Sequence, residues 1–119
     1  MSAPARTPEE LDALLEDAFV LRDRFALDGL FDDAAALEAG GLEARGSEAI
    51  GGALAKLWTR DCTYVAHPRR VLQTGDLALV ISDAGIHVLR RGSDGGWRAA
   101  LSVLELDGPV SHNQQQGGT

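Results

Sequence analysis

The sequence predicts one α+β domain in which N-terminal helices pack on an antiparallel sheet. Three observations carry this reading. Apolar residues recur at helical spacing in the first half, the period changes to that of strands from Cys62 onward, and Thr74-Gly75, Ala84-Gly85 and Asp94-Gly95 punctuate the second half. A chain of 119 residues supports a single core. That domain is expected over residues 7–106, with 1–6 and 107–119 as loose, flexible ends, the second closing on the polar run SHNQQQGGT.

Each element has a local reason. Thr7-Pro8-Glu9-Glu10 reads as a helix start, with Thr7 as N-cap, Pro8 in the first turn and Glu10 closing a capping box. Leu11, Leu14, Leu15, Ala18, Phe19, Arg22 and Phe25 then follow one helical face until Asp28-Gly29, predicting a helix over 8–27. LFDDAA reads as a short second helix or a turn. AALEAGGLEARG splits at Gly40-Gly41 into a small hairpin. Ser47 reads as the cap of a helix over 48–60, with Ile50, Leu54, Leu57 and Trp58 as its buried stripe. Four antiparallel strands follow, near 62–73, 76–83, 86–92 and 97–106. Asp94-Gly95 is read as a hairpin turn, because a phosphate-binding glycine loop needs a helix after it and a strand follows here.

The last three strands are apolar on both faces, as in Leu77, Leu79 and Ile81 against Ala78 and Val80. A half-solvated antiparallel sheet shows a polar face, so both sides of this one require cover. A homodimer through the sheet is the expected solution, and terminal segments folding back are the alternative.

Composition narrows the function classes. With 18 acidic against 11 basic residues and a net charge of -7, the basic footprint of nucleic-acid or anionic-membrane binding is missing. The single cysteine, Cys62, has no disulfide partner and is read as a small apolar residue. No Cys/His spacing suggests a metal, and no cofactor motif is present. The start MSAPARTPEE has no apolar export core, and no apolar run reaches membrane-spanning length, so a cytoplasmic protein is expected.

The order of helices, LFDDAAALEAGG, RGSEAIGGAL, TGDLALV and LRRGSDGGWR resembles the SnoaL-like branch of the nuclear transport factor 2-like superfamily. The resemblance implies a cone, a curved antiparallel sheet wrapped by N-terminal helices around an open pocket. That fold hosts polyketide cyclases, steroid isomerases, epoxide hydrolases, dehydratases and non-catalytic binding or dimerisation modules. The carboxylates and the Arg expected from two of those enzyme branches are replaced here by Ala39, Ser82, Ala84 and Ser102.

If all three turns hold two residues, counting back from them pairs His67 with Ser82, Ser82 with His87 and His87 with Ser102. A three-residue turn at any corner reverses the parity. The polar row would face the pocket, with His67 and His87 as acid and base, and Ser82, Ser102, Arg69, Phe19 and Trp58 holding a ligand. Alternatively, each His donates a hydrogen bond at the sheet edge, and Phe19 and Trp58 are core. Asp83 is read as a turn residue, Asp32-Asp33 as a solvated helix end, and Tyr64 as pointing away from the pocket. Two functions follow. One is a cofactor-independent enzyme that cyclises, isomerises or dehydrates an apolar oxygenated small molecule of polyketide type, as in natural-product biosynthesis. The other is a non-catalytic ligand-binding or dimerisation module.

Overall fold

The computed structural model describes residues 4–60 and 62–106. The predicted tail 107–119 lies outside the described residues. Residues 4–6, expected to be loose, are pinned: Ala5 is buried and bridges Trp97, whose N–H donates to the Ala5 carbonyl at 2.8 Å.

Helix α1 spans Pro8–Leu21. Thr7 caps it by accepting from Glu10 N–H, while the Glu10 carboxylate reaches past Thr7 to Arg6 N–H, one residue beyond a capping box. The predicted helix over 8–27 is two helices. Arg22 adopts a left-handed backbone with φ 52°, and Asp23 then caps α2, Arg24–Leu27. The break places the Arg22 guanidinium on the Trp58 carbonyl, at the C-terminal end of the helix Ser47–Trp58.

LFDDAA is neither helix nor turn. From Phe31 it belongs to strand β1, Phe31–Ala39, which forms a hairpin with β2, Leu42–Arg45. The alanine-rich composition favours helix, but pairing on both sides overrides that preference, and Ala35, Leu37 and Ala39 alternate into the core. Gly40 and Gly41 both take positive φ, the requirement of a two-residue type I′ turn. Helix α3 runs Ser47–Trp58. Its N-cap is Gly46 at φ 91°, so Ser47 is the first helical residue and makes no side-chain cap.

Strands β3 (Pro68–Thr74), β4 (Leu77–Ser82), β5 (Gly85–Arg91) and β6 (Trp97–Leu104) complete a six-stranded sheet of order β2-β1-β6-β5-β4-β3. The meander is as expected, but the sheet is not wholly antiparallel. β1 lies parallel to β6, because the chain leaves β1 through β2 and α3 and returns to it only at the last strand.

The turns also differ. Thr74 pairs with Leu77 and Ser82 with Gly85, so the turn residues are Gly75-Asp76 and Asp83-Ala84, each displaced by one from the expected pair. The third connection is a five-residue loop, since Arg91 pairs with Trp97. A bulge between Val88 and Leu89 restores the register lost there, and His87 still faces Ser102.

The core fills the space between one sheet face and the helices. α1 crosses β3, β4 and β6, and α3 crosses β1 and β2. Leu11, Leu15, Ala18, Ile50, Leu54 and Leu57 meet Val80, Leu89, Ala99 and Leu104. The opposite face carries Leu72, Leu77, Ile86, Leu101 and Val103, all exposed. No helix among the described residues is long and apolar enough to cross a membrane.

Candidate functional site

Four polar side chains meet inside this apolar core. Asp12 comes from α1, Tyr64 from the irregular segment 62–67, His87 from β5 and Ser102 from β6. Asp12, His87 and Ser102 have no exposed surface, and Tyr64 is 3% exposed. The hydrogen bonds run in one direction. His67 N–H, which can only donate, binds Asp12 Oδ2 at 3.0 Å, and the Tyr64 hydroxyl donates to Asp12 Oδ1. Its proton being spent on Asp12, Tyr64 Oη accepts from His87 Nε2–H at 2.8 Å. His87 Nδ1 therefore carries no proton and accepts from Ser102 Oγ at 2.7 Å. The chain of donors runs Ser102 to His87 to Tyr64 to Asp12.

Burial sets the charge states. It lowers the pKa of His87 to about 4, although the Asp12 carboxylate lies 4.0 Å from Nε2, so the imidazole is neutral at pH 7. Burial, and then the hydrogen bond and charge of Asp12, push the Tyr64 phenol far above its ordinary range, against a smaller opposing effect from the Ser82 hydroxyl. Tyr64 is thus a fixed neutral donor.

The expected polar row forms only in part. Ser82, His87 and Ser102 face the interior together, but Val80 rather than Ser82 is opposite His87. His67 is outside. Pro68, not His67, pairs with Ser82, and the irregular register between Pro68 and Arg70 leaves His67 off the ladder. Its ring is 58% exposed, with Nδ1 2.7 Å from Asp83 Oδ2, and Arg69 binds the other Asp83 oxygen. Arg69 and Asp83 therefore form a surface cluster with His67, away from the buried chain. Only the His67 backbone reaches Asp12. The pair of imidazoles facing one ligand is absent, because the 62–67 segment is not a strand and strand parity does not apply to it. The same irregularity turns Tyr64 inward, against expectation.

An apolar-stripe reading of α1 passes over Asp12, because a carboxylate is not counted on it. Its signal was present: it stands three residues before Leu15 and seven before Phe19 on the buried face of α1.

Aromatic rings close one end of the site. Phe19 stands edge-on to Trp58 at 5.8 Å between centroids and 5.5 Å from Tyr64. Trp58 Nε1 is buried without an acceptor among the described residues. Such an orphan costs about 1–3 kcal/mol. Beyond Phe19 and Tyr64 a cleft of about 370 Å³ opens, walled also by Val20, Arg22, Cys62 and Thr63. Among the described residues no group of three or more His, Cys, Asp or Glu side chains is placed to hold a metal ion.

No family model matches the sequence, and no curated protein matches it. Solved structures do. A ketosteroid isomerase-like protein from Erwinia carotovora atroseptica superposes with a TM-score of 0.69 at 20% identity, covering 85% of this chain and 94% of that one. A nuclear transport factor 2-like protein with a cystatin-like fold from Novosphingobium aromaticivorans gives 0.65 at 24% identity, covering 89% and 84%. A protein from Thiobacillus denitrificans, named for the association domain of calcium/calmodulin-dependent protein kinase type II, gives 0.69 at 16%, covering 90% and 98%. The α+β sheet, the wrapping helices and these superpositions agree: the chain has the cone fold of the nuclear transport factor 2-like superfamily.

Proposed function

We propose that the protein is a small cofactor-independent enzyme of the SnoaL-like kind, which isomerises, cyclises or dehydrates an apolar oxygenated small molecule by proton transfer. The observation that carries this reading is the buried chain Asp12–Tyr64–His87–Ser102. Ala39 and Ser102 on the sheet, and Ala84 in the turn between β4 and β5, stand where similar enzymes place acids, which favours a non-catalytic module. Asp12 supplies the missing carboxylate from a helix instead. Four buried polar groups weaken a core that apolar residues would fill, and such local violations, with shifted ionisation, concentrate at functional sites.

The roles follow from the proton positions. His87 Nδ1 is the basic atom, and a proton leaving a substrate carbon or hydroxyl reaches it through Ser102. The imidazolium then lies 4.0 Å from the Asp12 carboxylate, which stabilises it, and Tyr64 holds that geometry. Return of the proton to a second atom of the same molecule completes an isomerisation or expels water, with no external acid. His67 is not part of this path.

The test is proton exchange into a panel of alicyclic ketones in heavy water, followed by NMR. The protein should accelerate exchange at the carbon beside the carbonyl of at least one ketone. His87→Gln should lower that rate by about a hundredfold, and His67→Ala should leave it unchanged. Exchange no faster than in buffer across the panel, or equal rates for His87→Gln and the parent, would sink the proposal.

The exposed apolar face of β4, β5 and β6 supports a homodimer through the sheet, and the cytoplasmic setting expected from the sequence belongs to the same proposal. One structural neighbour is named for an association domain, which fits that use of the face.

A further inference from the structure

We propose that the corner between Phe19, Trp58 and Tyr64 is a ligand subsite, entered from the adjoining cleft, where Trp58 Nε1–H donates to an oxygen of a neutral ring-containing molecule. This rests on the interior being a substrate site, and it adds the way in and the group that recognises the ligand's oxygen.

The first observation is the orphaned donor. Trp58 is 7% exposed and no described group accepts from its indole N–H, whereas a buried Trp almost always finds an acceptor. The second is independent of it. The cleft of about 370 Å³ ends on Phe19 and Tyr64, the two rings that separate it from Trp58 and His87. Phe19 lines the cleft on one side and packs against Trp58 on the other, so its ring is the wall between them. Among the described residues that wall the cleft only Arg22 is charged, and its guanidinium is bound to the Trp58 carbonyl. That contact fixes Trp58 and leaves the cleft suited to uncharged ligands. Three aromatic rings favour a flat or alicyclic body, and one orphaned N–H calls for one acceptor oxygen.

The probes are 1-indanone and indane, which share a ring skeleton and differ in the carbonyl. In proton–nitrogen correlation spectra of the full chain, two indole signals arise, from Trp58 and Trp97. The Trp58 signal should move saturably with 1-indanone and much less with indane, and the Trp97 signal should stay in place. Trp58→Phe keeps a ring and removes the donor. It should bind 1-indanone about fivefold more weakly and indane as tightly as the parent. Should that variant fold poorly, the spectra of the unaltered protein decide. A Trp58 signal unmoved by 1-indanone, or equal 1-indanone affinity in the parent and the variant, overturns the subsite. If this happens while His87-dependent exchange persists, proton transfer stands and the recognition group is elsewhere. Loss of exchange with the Trp58 shift intact supports the subsite and removes only the catalytic reading.

Discussion

Asp12→Asn should reverse the direction of the buried hydrogen-bond chain. In the native chain both Asp12 oxygens accept, from Tyr64 O–H and from His67 N–H. Asparagine keeps one acceptor and presents two donors on the other atom. Because His67 N–H cannot accept, the amide oxygen must turn to it, leaving the NH₂ to face Tyr64 Oη. Tyr64 then donates to His87 Nε2, and His87 moves its proton to Nδ1 and donates to Ser102. Two charge-assisted bonds become neutral ones, each weaker by about 1 kcal/mol, for a total of about 2 kcal/mol. Asp12→Ala goes further and leaves two donors without an acceptor, at about 3 kcal/mol together, or roughly 15 °C in Tm for a domain of this size. Nitrogen-15 NMR of the imidazole reads the tautomer, and urea unfolding reads the energy. In the parent His87 should show a protonated Nε2, and in Asp12→Asn a protonated Nδ1. The same tautomer in both proteins with an unchanged urea midpoint would refute the assigned direction and remove Asp12 as its terminal acceptor.

Other expectations follow from single features. His87 has a pKa of about 4 folded and 6.5 unfolded, so the unfolded state binds the extra proton between those values. Stability is full above pH 6.5 and falls toward pH 4 by on the order of 3 kcal/mol, and His87→Gln should remove that slope from urea titrations across the window. Gly85 has φ 149°, and a Cβ there would collide with the Val103 carbonyl, so Gly85→Ala should destabilise by about 2 kcal/mol or more. An unchanged melting temperature would contradict this. Light scattering should give twice 12.6 kDa for the parent and 12.6 kDa for the pair Ile86→Lys with Leu101→Lys, if the exposed face joins two copies. A parent monomer at micromolar concentration removes the dimer.

What was legible in the sequence was what local periodicity and turn chemistry encode. Thr7-Pro8 marks the start of α1, Gly40-Gly41 the first hairpin, and the alternation after Pro68 the four-strand meander, because caps, positive φ and pleat parity are properties of a few adjacent residues. Counting back from Asp94-Gly95 gives the facing of His87 and Ser102, which the fold keeps through a five-residue loop and a bulge that offset each other. The sequence by itself also determined that the sheet is apolar on both faces. Tertiary structure decided the rest. The helical preference of the alanines in β1 gave way to pairing with β2, its hairpin neighbour, and with β6, which only the fold brings beside it. The site depended on one irregular segment. Residues 62–67 read as the start of a strand but form none in the fold, so nothing local shows that Tyr64 turns inward, that the His67 side chain stays in solvent, or that the His67 N–H meets Asp12 from 55 positions away. Those positions are fixed by satisfying buried donors and acceptors across four elements, a condition that exists only once the core has closed.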